Sequence, residues 1–217
     1  MQLSAVKLLN LETVLIAIEI VGTIAFAISG LLEAIRKRMD IVGVYSVTFV
    51  SAFGGGTVRD VLLERRPFFW VQNQEYLWLV LVLTLAAPML LRTRRHQFIE
   101  KCMEFADAAG LGLFAISGAS VASMAGMPAI VSICMGAITA VFGGVSRDIL
   151  CNQVPKVYRD HSPYTLCTII GCAVFLGLDA LGVSEHLSTS IGISVTTGLR
   201  LLAVKFDWLI PAWPLQK

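Results

Sequence analysis

Long apolar stretches alternate with short polar or Pro/Gly-containing turns along this chain. The alternation predicts seven helices, over about 13–35, 41–64, 76–91, 105–124, 128–151, 164–183 and 187–206. Most reach the roughly 20 residues that an apolar helix needs to cross a bilayer. The third is short, bounded by Glu75 in front and by Arg92, Arg94 and Arg95 behind, and Pro88 is expected to bend its end. Lys7 and Glu12 precede the first apolar run, which continues to Ile35. A cleaved leader would have a more basic start, a shorter apolar core and an A-x-A-like exit, so the first span is read as retained, not cleaved.

Composition strengthens the membrane reading. Hydrophobic residues are 56% of the 217, charged residues 15%, and the mean hydropathy is +0.77. A soluble domain carries about 25% charged residues, so this chain lacks the polar surface to cover itself. Seven spans leave room for short loops and for no separate catalytic domain. The expected fold is an all-α membrane protein forming one integral membrane domain over 1–217.

The positions of the charges matter more than their net value of +2, which is too small to suggest a nucleic-acid partner. With seven spans, one side collects Arg36, Lys37, Arg38, Arg92, Arg94, Arg95, Lys101, Lys156, Arg159, Lys205 and Lys217; the other holds Lys7, Arg65 and Arg66. Basic residues favour the cytoplasmic side. The N-terminus is therefore expected outside and the C-terminus in the cytoplasm. Cys102, Cys134, Cys151, Cys167 and Cys172 form no CxxC pair, and His96, His161 and His186 lie far apart. No metal site and no cofactor is expected.

The chain also repeats itself. Phe26-Ala27-Ile28-Ser29-Gly30 recurs 88 positions later as Phe114-Ala115-Ile116-Ser117-Gly118, and Gly55-Gly56-x-x-Arg59-Asp60 recurs as Gly143-Gly144-x-x-Arg147-Asp148. Gly22 matches Gly110 and Pro67 matches Pro155; residues 19–67 laid on 107–155 give 15 identities in 49 positions without a gap. Three blocks held at one offset indicate duplication. Each copy carries three helices, an odd number, so the second must enter the membrane from the opposite side. The expected organisation is two inverted repeats, about 12–91 and 105–183, plus a seventh helix at about 187–206. Such folds place a solute path where the halves meet.

Candidate chemistry clusters at matched positions in the two copies. Gly54, Gly55 and Gly56 in the second helix, and Gly143 and Gly144 in the fifth, each cost about 1 kcal/mol in a helix interior. They mark a kink, an unwound turn or a close backbone contact, and a functional break lining the path is preferred here over tight packing. Arg59, Asp60, Arg147 and Asp148 follow, and charge at membrane depth is costly unless paired or hydrated. Neighbours on a helix point about 100° apart. A cross-repeat pairing, Arg59 with Asp148 and Arg147 with Asp60, is therefore expected; the alternative is snorkelling at the water interface. Glu19 and Asp107, equivalent in the first and fourth helices, are candidates to attract a cation, relay a proton or partner an arginine. Ser29 and Ser117 satisfy carbonyls freed by the kinks, contact solute, or make ordinary core hydrogen bonds. Asp179 and Arg200 have no repeat partners and stay unassigned. Small-residue ridges at Ser132-Gly136-Ala140 and Ser190-Ser194-Gly198 permit close helix contacts within the chain or between subunits.

The three-plus-three-plus-one organisation, the doubled glycine motifs and the G-G-x-x-R-D pattern resemble the bacterial branch of the trimeric intracellular cation (TRIC) channel family, whose members are also labelled glycine-transporter-domain proteins. The resemblance spans about 12–206. It implies a bacterial inner-membrane homotrimer in lipid, with a pore in each subunit, potassium and other monovalent cations as permeant ions, and gating at the second and fifth helices. Gly54, Gly55, Gly56, Gly143 and Gly144 match the family's breaks at the pore. The Lys-Glu-Val signature that animal members use for inositol-lipid binding is absent.

The alternative is a secondary transporter for a small zwitterion such as glycine, with half-helix N-termini holding its carboxylate and Glu19 or Asp107 its ammonium group. A membrane enzyme finds no nucleotide motif, metal cluster or nucleophile–base pair in support.

Overall fold

A computed structural model describes residues 2–91, 96–159 and 163–211, with side chains described for 13–87, 97–158 and 163–211. Lys7, Arg92, Arg94, Arg95, Arg159 and Lys217, part of the charge count, have side chains outside that set, as do Glu12, Pro88, His96 and His161. Regular structure among the described residues is helical: α1 Gln2–Arg36, α2 Ile41–Leu62, α3 Phe69–Gln72, α4 Glu75–Leu91, α5 His96–Met124, α6 Ala129–Leu150, α7 Lys156–Arg159, α8 Tyr164–Ala180 and α9 Glu185–Lys205.

Segments of α1, α2, α5, α6 and α9 are long and apolar enough to cross a membrane, while α4 and α8 are shorter apolar helices. At 17 residues, α4 and α8 are each about 25 Å long, at the short limit for a span. Two helices start earlier than hydropathy suggests. α1 reaches back to Gln2 and α5 to His96 because neither 2–12 nor 96–104 contains Gly or Pro, so polar residues continue the helix outside the apolar run. The four-residue α3 and α7 were invisible to periodicity, being shorter than two turns.

α2 and α6 start differently but end alike. Asp40 caps the start of α2, its Oδ1 accepting from the Gly43 N–H at 2.8 Å. At the far end Glu64 takes φ 53°, and Arg65 N–H donates to the Asp60 carbonyl at 2.8 Å. Asn152 takes φ 52° after α6, and Gln153 N–H donates to the Asp148 carbonyl at 2.9 Å. A left-handed residue just past each terminus thus closes the last turn and fixes where the Arg-Asp pairs stand.

Equivalent helices meet each other. Phe26 and Phe114 lie 5.3 Å apart between ring centroids, in the heart of the core. Phe114 covers Gly22 while Phe26 covers Gly110. Residue 22 faces 114 and residue 26 faces 110, so α1 and α5 run antiparallel. The crossing of α2 and α6 follows the same logic: Gly55 faces the Thr139 carbonyl and Gly143 faces the Ser51 carbonyl. Both crossings are reciprocal, as contacts about a two-fold relation are.

Candidate functional site: two buried arginine clusters

Arg59 and Arg147 stand four residues past Gly55 and Gly143, about 6 Å further along their helices, on opposite sides of the α2–α6 crossing. Arg59 is 0% exposed and Arg147 1%. Neither snorkels to an interface. Arg59 Nε donates to Asp60 Oδ1 at 2.9 Å, and Nη2 lies 2.8 Å from the same oxygen. Its Nη1 donates to Glu19 Oε1 at 2.7 Å and to Ser117 Oγ at 2.9 Å. In the second repeat Arg147 Nε and Nη2 engage Asp148 Oδ1 at 2.9 and 2.8 Å, and Nη1 donates to Asp107 Oδ1 at 2.6 Å and to Ser29 Oγ.

This arrangement corrects the cross-repeat ion pairing. Each arginine pairs with its own neighbouring aspartate and with the acid of its own repeat, and only a serine crosses to the other repeat. The 100° between adjacent positions describes where Cβ atoms point; an arginine is long enough to fold back over the next residue and close the pair. Ser29 and Ser117 are buried, and each hydroxyl oxygen accepts from the guanidinium of the opposite repeat, a hydrogen bond within the core.

The remaining carboxylate oxygens hold the loops in place. Asp60 Oδ2 accepts the Phe69 N–H at 3.0 Å, and Asp148 Oδ2 accepts the Lys156 N–H at 3.0 Å. Asp60 also has the half-exposed Arg65 at 3.7 Å. Charged groups cost several kcal/mol each to remove from water, and a cluster returns that only with good geometry and full hydrogen bonding. Both clusters come close to meeting that condition. Inside each, one guanidinium faces two carboxylates.

The glycines have a different role from the expected break. α2 and α6 are continuous helix through Gly54, Gly55, Gly56, Gly143 and Gly144, so no unwound turn exposes carbonyls. A Cβ on Gly55 would drive into the Thr139 carbonyl oxygen, and one on Gly143 would lie 2.6 Å from the Ser51 carbonyl oxygen. These residues are glycine because two backbones touch there. Gly54 borders the same contact: a Cβ added there would lie 3.9 Å from the Gly143 Cα. The ridge Ser132-Gly136-Ala140 is also used within the chain, with Gly136 against the Ala115 carbonyl and Cys172. Ser190 and Ser194 are exposed, and nothing lies near Gly198.

The two ends of the crossing are finished differently. Beyond Arg59, α3 lays Phe69 over Gly56; Phe53 and Tyr76 pack on Phe69, and Trp70 packs on Phe53. Beyond Arg147 lies a polar cavity of about 770 Å³ lined by residues including Arg36, Glu100, Gln153, Lys156 and Arg200. Glu33, buried at the end of α1, accepts from Arg36 and from Gln153, both at 2.7 Å. Tyr164 packs by Gly144, with the Arg200 guanidinium 4.5 Å from its ring centroid. Motif reading missed Phe69, Glu33, Tyr76 and Tyr164. The last two are 88 apart, so extending the repeat alignment nine residues would have found them.

A family model described as "Glycine transporter" matches twice, over residues 16–92 and 104–180. The chain belongs to this family. The glycine-transporter family model takes each repeat separately, and its two matches are themselves 88 apart. A UPF0126 membrane protein of Vibrio cholerae is 36% identical over 205 residues, 94% of this chain and 85% of that protein. The UPF0126 inner membrane protein YadS of Escherichia coli K12 is 35% identical over 201 residues, 92% and 96% of the two chains. Among solved structures, the TRIC trimeric intracellular cation channel orthologue from Rhodobacter sphaeroides superposes with a TM-score of 0.84 at 33% identity, covering 90% of this chain and 100% of that one. A prokaryotic TRIC channel crystallised in 0.5 M KCl gives 0.85 at 28% identity, covering 90% and 98%. The chain is a multi-pass membrane protein with the TRIC fold, and its structural neighbours support a cation channel.

Proposed function

We propose that this protein is a monovalent-cation channel, potassium being the expected permeant ion, with seven spans arranged as two inverted repeats and a seventh helix. It assembles as a homotrimer with one conduction route per subunit. It lies in a bacterial inner membrane, N-terminus outside and C-terminus cytoplasmic. The antiparallel meeting of α1 with α5 and of α2 with α6 supports the inversion, and the uncovered Ser190-Ser194-Gly198 ridge of α9 suits contact with a second copy.

The observation that carries the reading is the charge of the buried clusters. Arg59 meets Glu19 and Asp60, and Arg147 meets Asp107 and Asp148, so each buried guanidinium is flanked by two carboxylates; the half-exposed Arg65, 3.7 Å from Asp60, offsets part of the charge at the first. Carboxylates that outnumber the buried guanidiniums on either side of one crossing favour cations over anions along a route between them. With α2 and α6 continuous, selectivity rests on these side chains and not on freed carbonyls. The bare glycine surfaces at Gly54, Gly55 and Gly143 support a gate at this crossing, where a small parting of α2 from α6 would open a route between the clusters.

Transport of glycine is the second reading, favoured by the description of the family model. It needs a free cationic or half-helix site for a carboxylate, and the two guanidiniums are already engaged. Purified protein in planar bilayers with potassium chloride is the test. Unitary cation currents are expected; saturable exchange of labelled glycine without unitary currents would replace the channel reading with the transporter.

A further inference from the structure

The repeats match in their clusters but not in what covers them. Phe69 is 7% exposed, and its ring lies against Gly56, where any Cβ would collide with it. The Arg59 guanidinium stands 5.5 Å from its centroid. Phe53 and Tyr76 approach it at 6.0 and 5.8 Å, and Trp70 is anchored by its Nε1 donating to Thr57 Oγ1 at 3.0 Å. Asp60 holds the backbone of Phe69 itself. Aromatic rings thus close the Arg59 end.

At the other end Tyr164 is the equivalent of Tyr76, but the equivalents of Phe53, Phe68 and Phe69 are smaller or polar. Val157 stands where the repeat offset puts Phe69, Val141 where it puts Phe53, and Lys156 where it puts Phe68; all three are half-buried. Lys156 lines the 770 Å³ cavity and also a space of about 10 Å³ beside Gly144, Arg147, Asp148 and Tyr164. That smaller space is close to what one water molecule occupies. Lys156 thus separates the cavity from the space at the edge of the Arg147 cluster, whereas aromatic rings pack over the Arg59 cluster.

We propose that Phe69 is the plug of the conduction route, closing it by a ring seated on Gly56 at the Arg59 end, while the Arg147 end stays wetted in the closed state. Apolar constrictions close ion routes by expelling water from them. Asp60 links plug and cluster: it binds Arg59 with one oxygen and carries Phe69 with the other, so a rearrangement of the ion pair moves the ring. The proposal rests on the channel reading.

Single-channel recording in potassium chloride tests it with Phe69→Ala, and with Val157→Ala as the matched change at the other end. Phe69→Ala should raise open probability roughly tenfold, equal to about 1.4 kcal/mol of lost closed-state bias, and Val157→Ala should leave it near the wild type. If Phe69→Ala does not assemble, Phe69→Leu carries the same expectation at smaller size. Unchanged open probability in the assembled Phe69 variant, or an equal rise in Val157→Ala, overturns the plug and leaves the channel standing. A wild-type protein that passes no cation current overturns both.

Discussion

Arg147 donates a hydrogen bond to Ser29, a residue 118 positions earlier in the other repeat, and Arg59 does the same to Ser117. Each guanidinium is thereby shared among its own aspartate, the acid of the preceding helix in its own repeat, and a serine of the opposite half. The two halves are stitched by hydroxyls, with the full charges kept within each half.

Removing an arginine should therefore cost far more than removing a serine. Arg147→Met leaves Asp107 and Asp148 buried without their cation, a loss of about 3–5 kcal/mol. Thermal unfolding of detergent-solubilised protein should show the variant failing to assemble or melting far below wild type.

Ser29→Ala and Ser117→Ala each remove one hydrogen bond to a charged donor, about 1.5–3 kcal/mol. The sites lie on opposite sides of the α2–α6 crossing and share no partner, so the double variant should lose close to the sum. A double-mutant cycle on unfolding checks this; strong non-additivity would mean the clusters are coupled through the crossing.

Charge exchange separates the observed pairing from the symmetric alternative. Arg59→Glu combined with Glu19→Arg should recover part of the assembly lost in Arg59→Glu alone. Arg59→Asp combined with Asp148→Arg should recover none, because those residues belong to different clusters. Yield of folded protein from size-exclusion chromatography is the readout.

Glycine substitutions should divide by what a Cβ would meet. Gly55→Ala drives a methyl into the Thr139 carbonyl and Gly143→Ala presses on Ser51, so both should prevent native assembly. Gly177→Ala and Gly198→Ala meet open space, and helix propensity favours alanine by about 1 kcal/mol. Thermal unfolding should show Gly177→Ala at or above wild type, while Gly198→Ala, on the ridge proposed to meet a second copy, should lose trimer on size-exclusion chromatography.

Neutralising the excess carboxylates should weaken cation preference. Glu19→Gln and Asp107→Asn each leave an arginine facing a single carboxylate. In bilayers under a potassium chloride gradient, the reversal potential should move toward zero relative to wild type. An unchanged potential would place selectivity elsewhere along the route.

Much of this molecule is legible in its residues one after another. Apolar run lengths determine the main helices, because a segment in lipid must satisfy its own backbone. The 88-residue offset discloses the duplication, and Glu19, Arg59, Asp60, Asp107, Arg147 and Asp148 stand out as charges in apolar surroundings. Partnership is not legible in that way. Whether Arg59 meets Asp60 or Asp148 depends on how far a flexible side chain reaches once helices are packed, and whether Gly55 breaks a helix or lets another in depends on which backbone lies opposite. Phe69 is the clearest case: it falls outside the aligned repeat, on a helix of one turn, and it matters only because tertiary packing sets its ring on Gly56. Sequence determines which groups cannot be left alone in a membrane; the three-dimensional fold decides which neighbours they find, because those contacts join residues that no local periodicity connects.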